Sequence, residues 1–257
     1  MGQLLPPLRL DTLKPTCDRL RDAALVLSSL QRGFLPEHPR QWQYGLEVTM
    51  RGLGTQAFMV NDEEVRAGLD LVRRKVRLDG GEWRLKEYDG PELFKNVRAW
   101  LESKSTNAKL DEPKFGGVGQ TFDSDQATAY AEALWWFDKQ FRVLKAGLDE
   151  GVTSPVLLYP HHFDLSLAWF PYDDERQLSV GWSTGDETIK EPYVYMTTYP
   201  EPAGFTKLTL PIGAYWQTEG FSGAILPYAV LQSSQEPEVL FRQFAGETFA
   251  AARPLFD

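Results

Sequence analysis

Tyr159-Pro-His-His-Phe-Asp-Leu-Ser-Leu-Ala-Trp-Phe-Pro171 is the most informative segment of this chain and opens an aromatic-rich β region. From His161 onward its side chains alternate. His161, Phe163, Leu165, Leu167 and Trp169 point one way, and His162, Asp164, Ser166 and Ala168 point the other. A period of two is the geometry of a β-strand, so the segment over 161–170 is expected to be a strand with an apolar face and a polar face. It also holds two of the three histidines of the chain beside an aspartate. A candidate site is expected there.

Working outward, Gln177–Ser183, Tyr193–Tyr199 and Ser222–Leu226 read as further strands joined by short polar connections, which implies antiparallel neighbours. Helical periodicity brackets this region. A helix over about 124–149 carries the stripe Ala127, Tyr130, Ala131, Leu134, Phe137, Phe141, Leu144 and Leu148, and a last helix over about 236–252 turns Leu240, Phe241, Phe244, Thr248 and Ala251 inward.

The first part of the chain has the same composition of elements. A helix is predicted over about 12–32, capped by Asp11 or Thr12 and ended by Gly33. Tyr44, Leu46, Val48 and Met50 alternate with polar positions and predict a strand with these four on its buried face. Gln56–Val60 is a weaker strand. Ala67, Leu69 and Leu71, then Val76 and Leu78, then Trp83 and Leu85 across the Asp79-Gly80-Gly81 turn, read as a meander. Gly90-Pro91 opens a short helix. Residues 103–122 lack periodicity.

The expected class is α+β, with two similar halves, each helix, antiparallel meander, helix. The boundaries are an N-terminal half over 1–104, a linker over 105–123 and a C-terminal half over 124–257 with an aromatic-rich sheet.

Composition narrows the function. A formal charge of −9 repels a phosphate backbone unless a local basic patch intervenes, so no nucleic-acid partner is expected. The dense basic run is Arg73-Arg74-Lys75 with Arg77, read as a solvated strand face with an anion or partner contact as the alternative. The single cysteine, Cys17, excludes an intramolecular disulfide. Met1-Gly-Gln-Leu-Leu-Pro-Pro does not read as a signal peptide, and no apolar run nears the ~20 residues of a membrane helix. The expectation is a soluble, cytoplasmic protein with no membrane partner; the sequence leaves the oligomeric state open.

Several motifs resemble known chemistry. His162, Asp164 and Ser166 contain the residue types of a hydrolytic triad, but neighbours on one strand face lie side by side about 6.5–7 Å apart and cannot form a relay. Gly181-Trp-Ser-Thr-Gly185 fits the nucleophile-elbow pattern, which needs a helix after the serine, and a loop is expected there instead. Gly116-Gly-Val-Gly-Gln-Thr121 lacks the lysine of a phosphate loop and reads as flexible linker. The acidic turns Asp173-Asp-Glu175 and Gly185-Asp-Glu187 read as solvated loops, and no metal or cofactor is expected.

The aromatic side chains carry more. Tyr193, Tyr195, Thr197 and Tyr199 fall on one strand face, with Glu201 just beyond. Rings with polar tips suit a mixed pocket. The leading expectation is a small molecule bound in an aromatic-lined cleft of the C-terminal half by Asp164, Tyr193, Tyr195, Tyr199 and Glu201, with His162 as an optional contact. The alternatives are a metal-independent enzyme using Asp164 or Glu201 as general base, and a protein–protein interaction module.

Ser154-Pro-Val, Phe163-Asp-Leu, Tyr199-Pro-Glu-Pro202 with Gly204-Phe205, Phe221-Ser-Gly-Ala-Ile-Leu-Pro-Tyr228 and Arg51-Gly-Leu-Gly-Thr55 resemble an uncharacterised bacterial family, domain of unknown function 5996. The resemblance extends over most of the chain and implies no activity. The chain departs from the family pattern at Leu157, where relatives carry His, and at His161-His162, where they carry Gly-Ser. Asp164 and the Tyr-Pro-Glu-Pro segment are therefore the shared candidates.

Overall fold

A computed structural model describes residues 5–104, 106, 108–149, 152–171 and 175–257. The acidic pair Asp173 and Asp174, and the first four residues of the chain, lie outside the described residues. The protein is α+β, and its sheets are antiparallel throughout. By their contacts the residues form two compact units, each described by itself. One comprises Leu8–Glu132 and Leu157–Phe163 (the N-terminal unit); the other comprises Met1–Pro7, Ala133–Val156 and Asp164–Asp257 (the C-terminal unit).

In the N-terminal unit α1 spans Leu10–Arg32. It starts two residues before the predicted position and has no side-chain cap. Gln126 replaces one: its Oε1 accepts the Arg9 N–H at 2.9 Å, so a distant residue does the work expected of Asp11 or Thr12. The strands are β1 (Leu46–Thr49), β2 (Gly52–Gly54), β3 (Phe58–Val60), β4 (Glu63–Val65), β5 (Ala67–Asp70), β6 (Lys75–Leu78) and β7 (Gly81–Arg84). The β3–β4 hairpin stands apart from the sheet of this unit, whose order is β8-β1-β2-β5-β6-β7, with β8 supplied by Leu157–Tyr159.

The predicted strand from Tyr44 to Arg51 is shorter than its alternation. Tyr44 belongs to a 3₁₀ turn, and Met50 sits at a tight turn and is 96% exposed instead of buried. Helix α2 (Gly90–Ser103) begins with a complete capping box. Asp89 accepts the Glu92 N–H, and Glu92 accepts the Asp89 N–H, each at 3.1 Å.

The aperiodic segment after α2 is fastened to α1. Ser29 donates to the Asp111 carbonyl at 2.5 Å, Asp22 accepts the N–H groups of Gly116 and Gly117 at 2.9 and 2.8 Å, and Thr16 Oγ1 accepts the Asp123 N–H at 3.0 Å. Gly117 lies so close to α1 that a Cβ there would meet the Asp18 carbonyl oxygen at 2.7 Å. Gly117 therefore serves packing against a helix, and Gly119 supplies a positive φ of 73° in the turn that follows.

Helix α3 covers Ser124–Lys145 and ends four residues short of the predicted boundary, in a turn at Ala146–Gly147. The C-terminal unit holds β9 (Asp164–Trp169), β10 (Gln177–Ser183), β11 (Tyr193–Tyr199), β12 (Tyr215–Gln217) and β13 (Gly223–Pro227), in the order β12-β13-β11-β10-β9. One face of this sheet is the core. Leu165, Leu167, Val180, Trp182, Val194, Met196 and Leu226 are all at most 2% exposed. Trp182 stacks on Phe137 of α3 at 4.6 Å, and Phe137, Phe141 and Trp136 all meet Phe241. Rings in stacked and edge-on contact fill this interior.

Three short helices close the chain: α4 (Tyr228–Ser233), α5 (Pro237–Arg242) and α6 (Thr248–Ala252). A π turn over Gln243–Glu247 joins the last two. A π turn inserts a residue into the helical count, so the inward face advances by one. Ala252 and Phe249 are buried, and Ala251, predicted to face inward, is exposed.

Candidate functional site

The strand predicted over 161–170 begins at Asp164. Pro160, His161, His162 and Phe163 form a turn, closed by the Phe163 N–H donating to the Tyr159 carbonyl at 2.8 Å. Phe163 takes a positive φ of 55°, outside strand geometry. Arg21 secures this turn, donating from Nε to the Pro160 carbonyl at 3.1 Å and from Nη2 to the His161 carbonyl at 2.8 Å. Both histidines are exposed turn residues of the N-terminal unit. His161 rests against Tyr44 at 5.7 Å, and partial loss of water around its ring, with the charges of Arg32, His162 and Arg21, holds its pKa below the usual imidazole value. His162 therefore does not stand in a row with Asp164 and Ser166 on one strand.

Beyond the turn the alternation holds. Strand pairing places Asp164 opposite Ser183, and Ser183 opposite Tyr193. The next row is Ser166, Gly181, Tyr195 and Ile225, and the one after it Ala168, Ser179 and Thr197. These residues make up the face of the sheet opposite the aromatic core.

Two phenol–carboxylate pairs organise this face. The Tyr195 hydroxyl donates to Asp164 Oδ2, and the Tyr193 hydroxyl donates to Asp186 Oδ2. Gly181 makes the first pair possible. Tyr195 lies over the neighbouring strand, and a Cβ at position 181 would collide with its ring and hydroxyl. Asp186 comes from the β10–β11 turn. Its Oδ1 accepts the N–H groups of Thr188 and Ile189 at 2.6 and 2.8 Å, an Asx turn that aims the other oxygen at Tyr193.

The charges follow from these contacts. Burial works against an ionised Asp186, but the Tyr193 hydroxyl and the two backbone N–H groups outweigh it and hold its pKa below the ordinary value. Tyr193 is pushed far up, by burial first and then by its bond to Asp186. Tyr195 is also raised, by burial first and then by the Asp164 charge and hydrogen bond. Both phenols are neutral donors at physiological pH.

The face grades from closed to open. Tyr193, Ile189 and Ile225 form a small buried cluster, with Tyr195 and Phe221 packed against it. Asp164 is 8% exposed and Ser183 5%. Farther along, Ser166, Ala168, Ser179 and Thr197 are half-buried, and Tyr199 is 66% exposed at the end of β11. Glu201 follows the cis Tyr199–Pro200 peptide and is exposed. Asp164, Tyr193 and Tyr195 are thus brought together, while Tyr199 and Glu201 lie at the open end.

Sequence reading placed Asp186 in a solvated turn and gave Gly181 no role. The signal for Asp186 was its position two residues before Thr188 in a hairpin turn, the pattern of an Asx turn. Ser183 is followed by the β10–β11 hairpin, not a helix, and its Oγ accepts the Gly185 N–H at 3.1 Å. That is not the geometry of a nucleophile elbow. Among the described residues no three of His, Cys, Asp and Glu converge as metal ligands, and no helix is long and apolar enough to cross a membrane.

A family of unknown function, DUF5996, matches residues 172–256. The match takes in β10 to α6, and with them Tyr193, Tyr195, Tyr199, Glu201 and Asp186. The match does not extend to Arg51–Thr55, Ser154–Val156 or Phe163–Leu165, Asp164 included, so the expected resemblance over most of the chain is cut back to about its last third. Searches of curated proteins and of solved structures give no match.

Proposed function

We propose that the protein binds a small, polar, ring-bearing molecule on the open part of the polar face of its C-terminal sheet. One observation carries this reading. Ser166, Ala168, Ser179 and Thr197 are all small and half-buried, and they adjoin the fixed phenol of Tyr195. Short side chains leave the sheet surface low, and hydroxyls at its floor offer hydrogen bonds in both directions. Phe221 flanks the same area, since a Cβ on Gly223 would meet Phe221 at 3.1 Å and Thr197 at 3.0 Å. Rings at the sides and hydroxyls beneath are the composition of a small-molecule site. Tyr199 and Glu201, exposed at the end of β11, would meet a ligand that extends in their direction.

Binding is favoured over proton abstraction by the ionisation of the face. Asp186 is held charged by three donors, and both phenols hold their protons, so these groups orient a ligand better than they exchange protons with it.

A thermal-shift screen against a metabolite library tests the reading. A ligand selective for the folded state stabilises it by about 2.7 kcal/mol at a hundred times its Kd, a rise of several degrees. The same compound should lose its effect on Ser179→Tyr, which raises a large ring from the row of small residues. No stabilising compound, or an undiminished shift in that variant, counts against the site.

A further inference from the structure

The N-terminal unit carries a second feature that the polar face does not use. A half-open hollow of about 400 Å³ is lined by Arg73, Arg74, Lys75, Arg84, Lys86 and Glu87. Five cations face one carboxylate there, in a chain whose formal charge is −9. The strand register forces the crowding. Lys75 of β6 stands directly opposite Arg84 of β7, and like charges directly opposite are unfavourable in an antiparallel pair.

Some of this charge is neutralised within the fold. Lys75 and Arg77 share Glu82, and Arg73 reaches the buried Asp70 at 3.4 Å. The rest is not. Arg84 meets Glu87 only at 3.7 Å, with 74% of its side chain exposed. Among the described residues Lys86 has no ion pair. Arg74 sits at a positive φ of 58°, an uncommon backbone for a side chain of this kind. Its Nε is buried without a partner, and its Nη2 reaches only neutral oxygens, the Ser124 carbonyl at 3.4 Å and Thr128 Oγ1 at 3.3 Å. A guanidinium short of acceptors and converging cations are both relieved by one event, the arrival of an anion.

We propose that this hollow binds an anion carrying two or more phosphate groups. Its volume suits a small molecule rather than a polymer. Guanidinium forks from Arg73, Arg74 and Arg84 can each bind phosphate oxygens in pairs, with Lys86 adding charge at the mouth. The site is independent of the polar face in the C-terminal unit.

Isothermal titration of the intact chain with tripolyphosphate in low salt is the test. The expected result is one bound equivalent, with affinity falling as salt rises and at least tenfold weaker in the double variant Arg84→Gln, Lys86→Gln. A control pair, Lys95→Gln with Arg98→Gln, removes the same charge from the exposed face of α2 and should leave binding within twofold. Sedimentation with vesicles containing phosphatidylinositol bisphosphate, a headgroup with more than one phosphate, separates the two sources of this chemistry. Binding to tripolyphosphate alone assigns a free anion; vesicle capture that the Arg84/Lys86 variant abolishes assigns a lipid headgroup. Binding to neither overturns the proposal, and so does equal weakening by the control pair, which would mark diffuse attraction.

Discussion

Removing the Tyr195 hydroxyl isolates the pair on which the polar face is built. Tyr195→Phe keeps the ring over Gly181 and deletes only the donor to Asp164. Asp164 is 8% exposed, so water replaces that donor poorly. A hydrogen bond to a charged group is worth about 1.5–3 kcal/mol, and relief of burying the phenol oxygen returns part of it, so a loss of about 1–2.5 kcal/mol is expected. Asp164→Ala should cost at least as much, because it leaves the phenol without its charged acceptor. In the double variant the penalties overlap, giving a coupling of about 1–2 kcal/mol. Urea unfolding followed by tryptophan fluorescence measures all four corners of the cycle. Alkaline pH gives a second reading. The folded phenol has a raised pKa, so its contribution is complete below the unfolded value of about 10 and is lost as pH climbs toward the folded value. Tyr195→Phe should flatten that decline. A coupling under about 0.3 kcal/mol, with an unchanged alkaline limb, would mean that the pair does not form.

Two further variants probe neighbouring steps of the argument. Gly181→Ala puts a methyl group against the Tyr195 ring, and overpacking of this kind costs about 1–3 kcal/mol; the loss seen in urea should shrink when Tyr195 is also cut back to Ala. Asp22 has a pKa raised by burial, against the opposing pull of the Gly116 and Gly117 N–H groups, so the folded state holds its proton more tightly than the unfolded chain does. Its contribution is then fully present below the unfolded value of about 3.9 and falls as pH rises through the folded value. Asp22→Asn abolishes that slope, and urea stability measured in steps from pH 3.5 to 6 should show the wild-type excess shrinking with rising pH.

The alternation in Asp164–Trp169 was legible because a period of two on a half-buried sheet cannot be mistaken once the apolar side chains are large. Leu165, Leu167 and Trp169 leave no doubt about the core face. The same rule failed at its ends. His161 and Phe163 continue the pattern by residue type, yet Pro160 and the Arg21 clamp on two carbonyls turn the backbone there. Met50 failed alike, since alternation carries no mark of where a strand stops and a two-residue turn begins. The helix starting at Leu10 and the pinned loop at Gly116 depend on Gln126 and Asp22, partners more than ninety residues away in sequence. No local window contains them.

Both candidate regions were visible as composition before they were visible as sites, and only register turned one into the other. Tyr193 and Tyr195 on one strand face are two aromatic residues in a row. They become two fixed donors because β10 lays Gly181 beside Tyr195, so that ring reaches across to Asp164, and because the β10–β11 turn brings Asp186 to Tyr193. Arg73-Arg74-Lys75 is likewise an ordinary solvated run until the β6–β7 ladder sets Arg84 against Lys75. Pairing converts a linear count of charges into a local density, and density decides whether an ion is held. The net charge of −9 governs what the molecule repels at a distance, which salt screens beyond about 8–10 Å, whereas five cations within one hollow govern what it binds at contact.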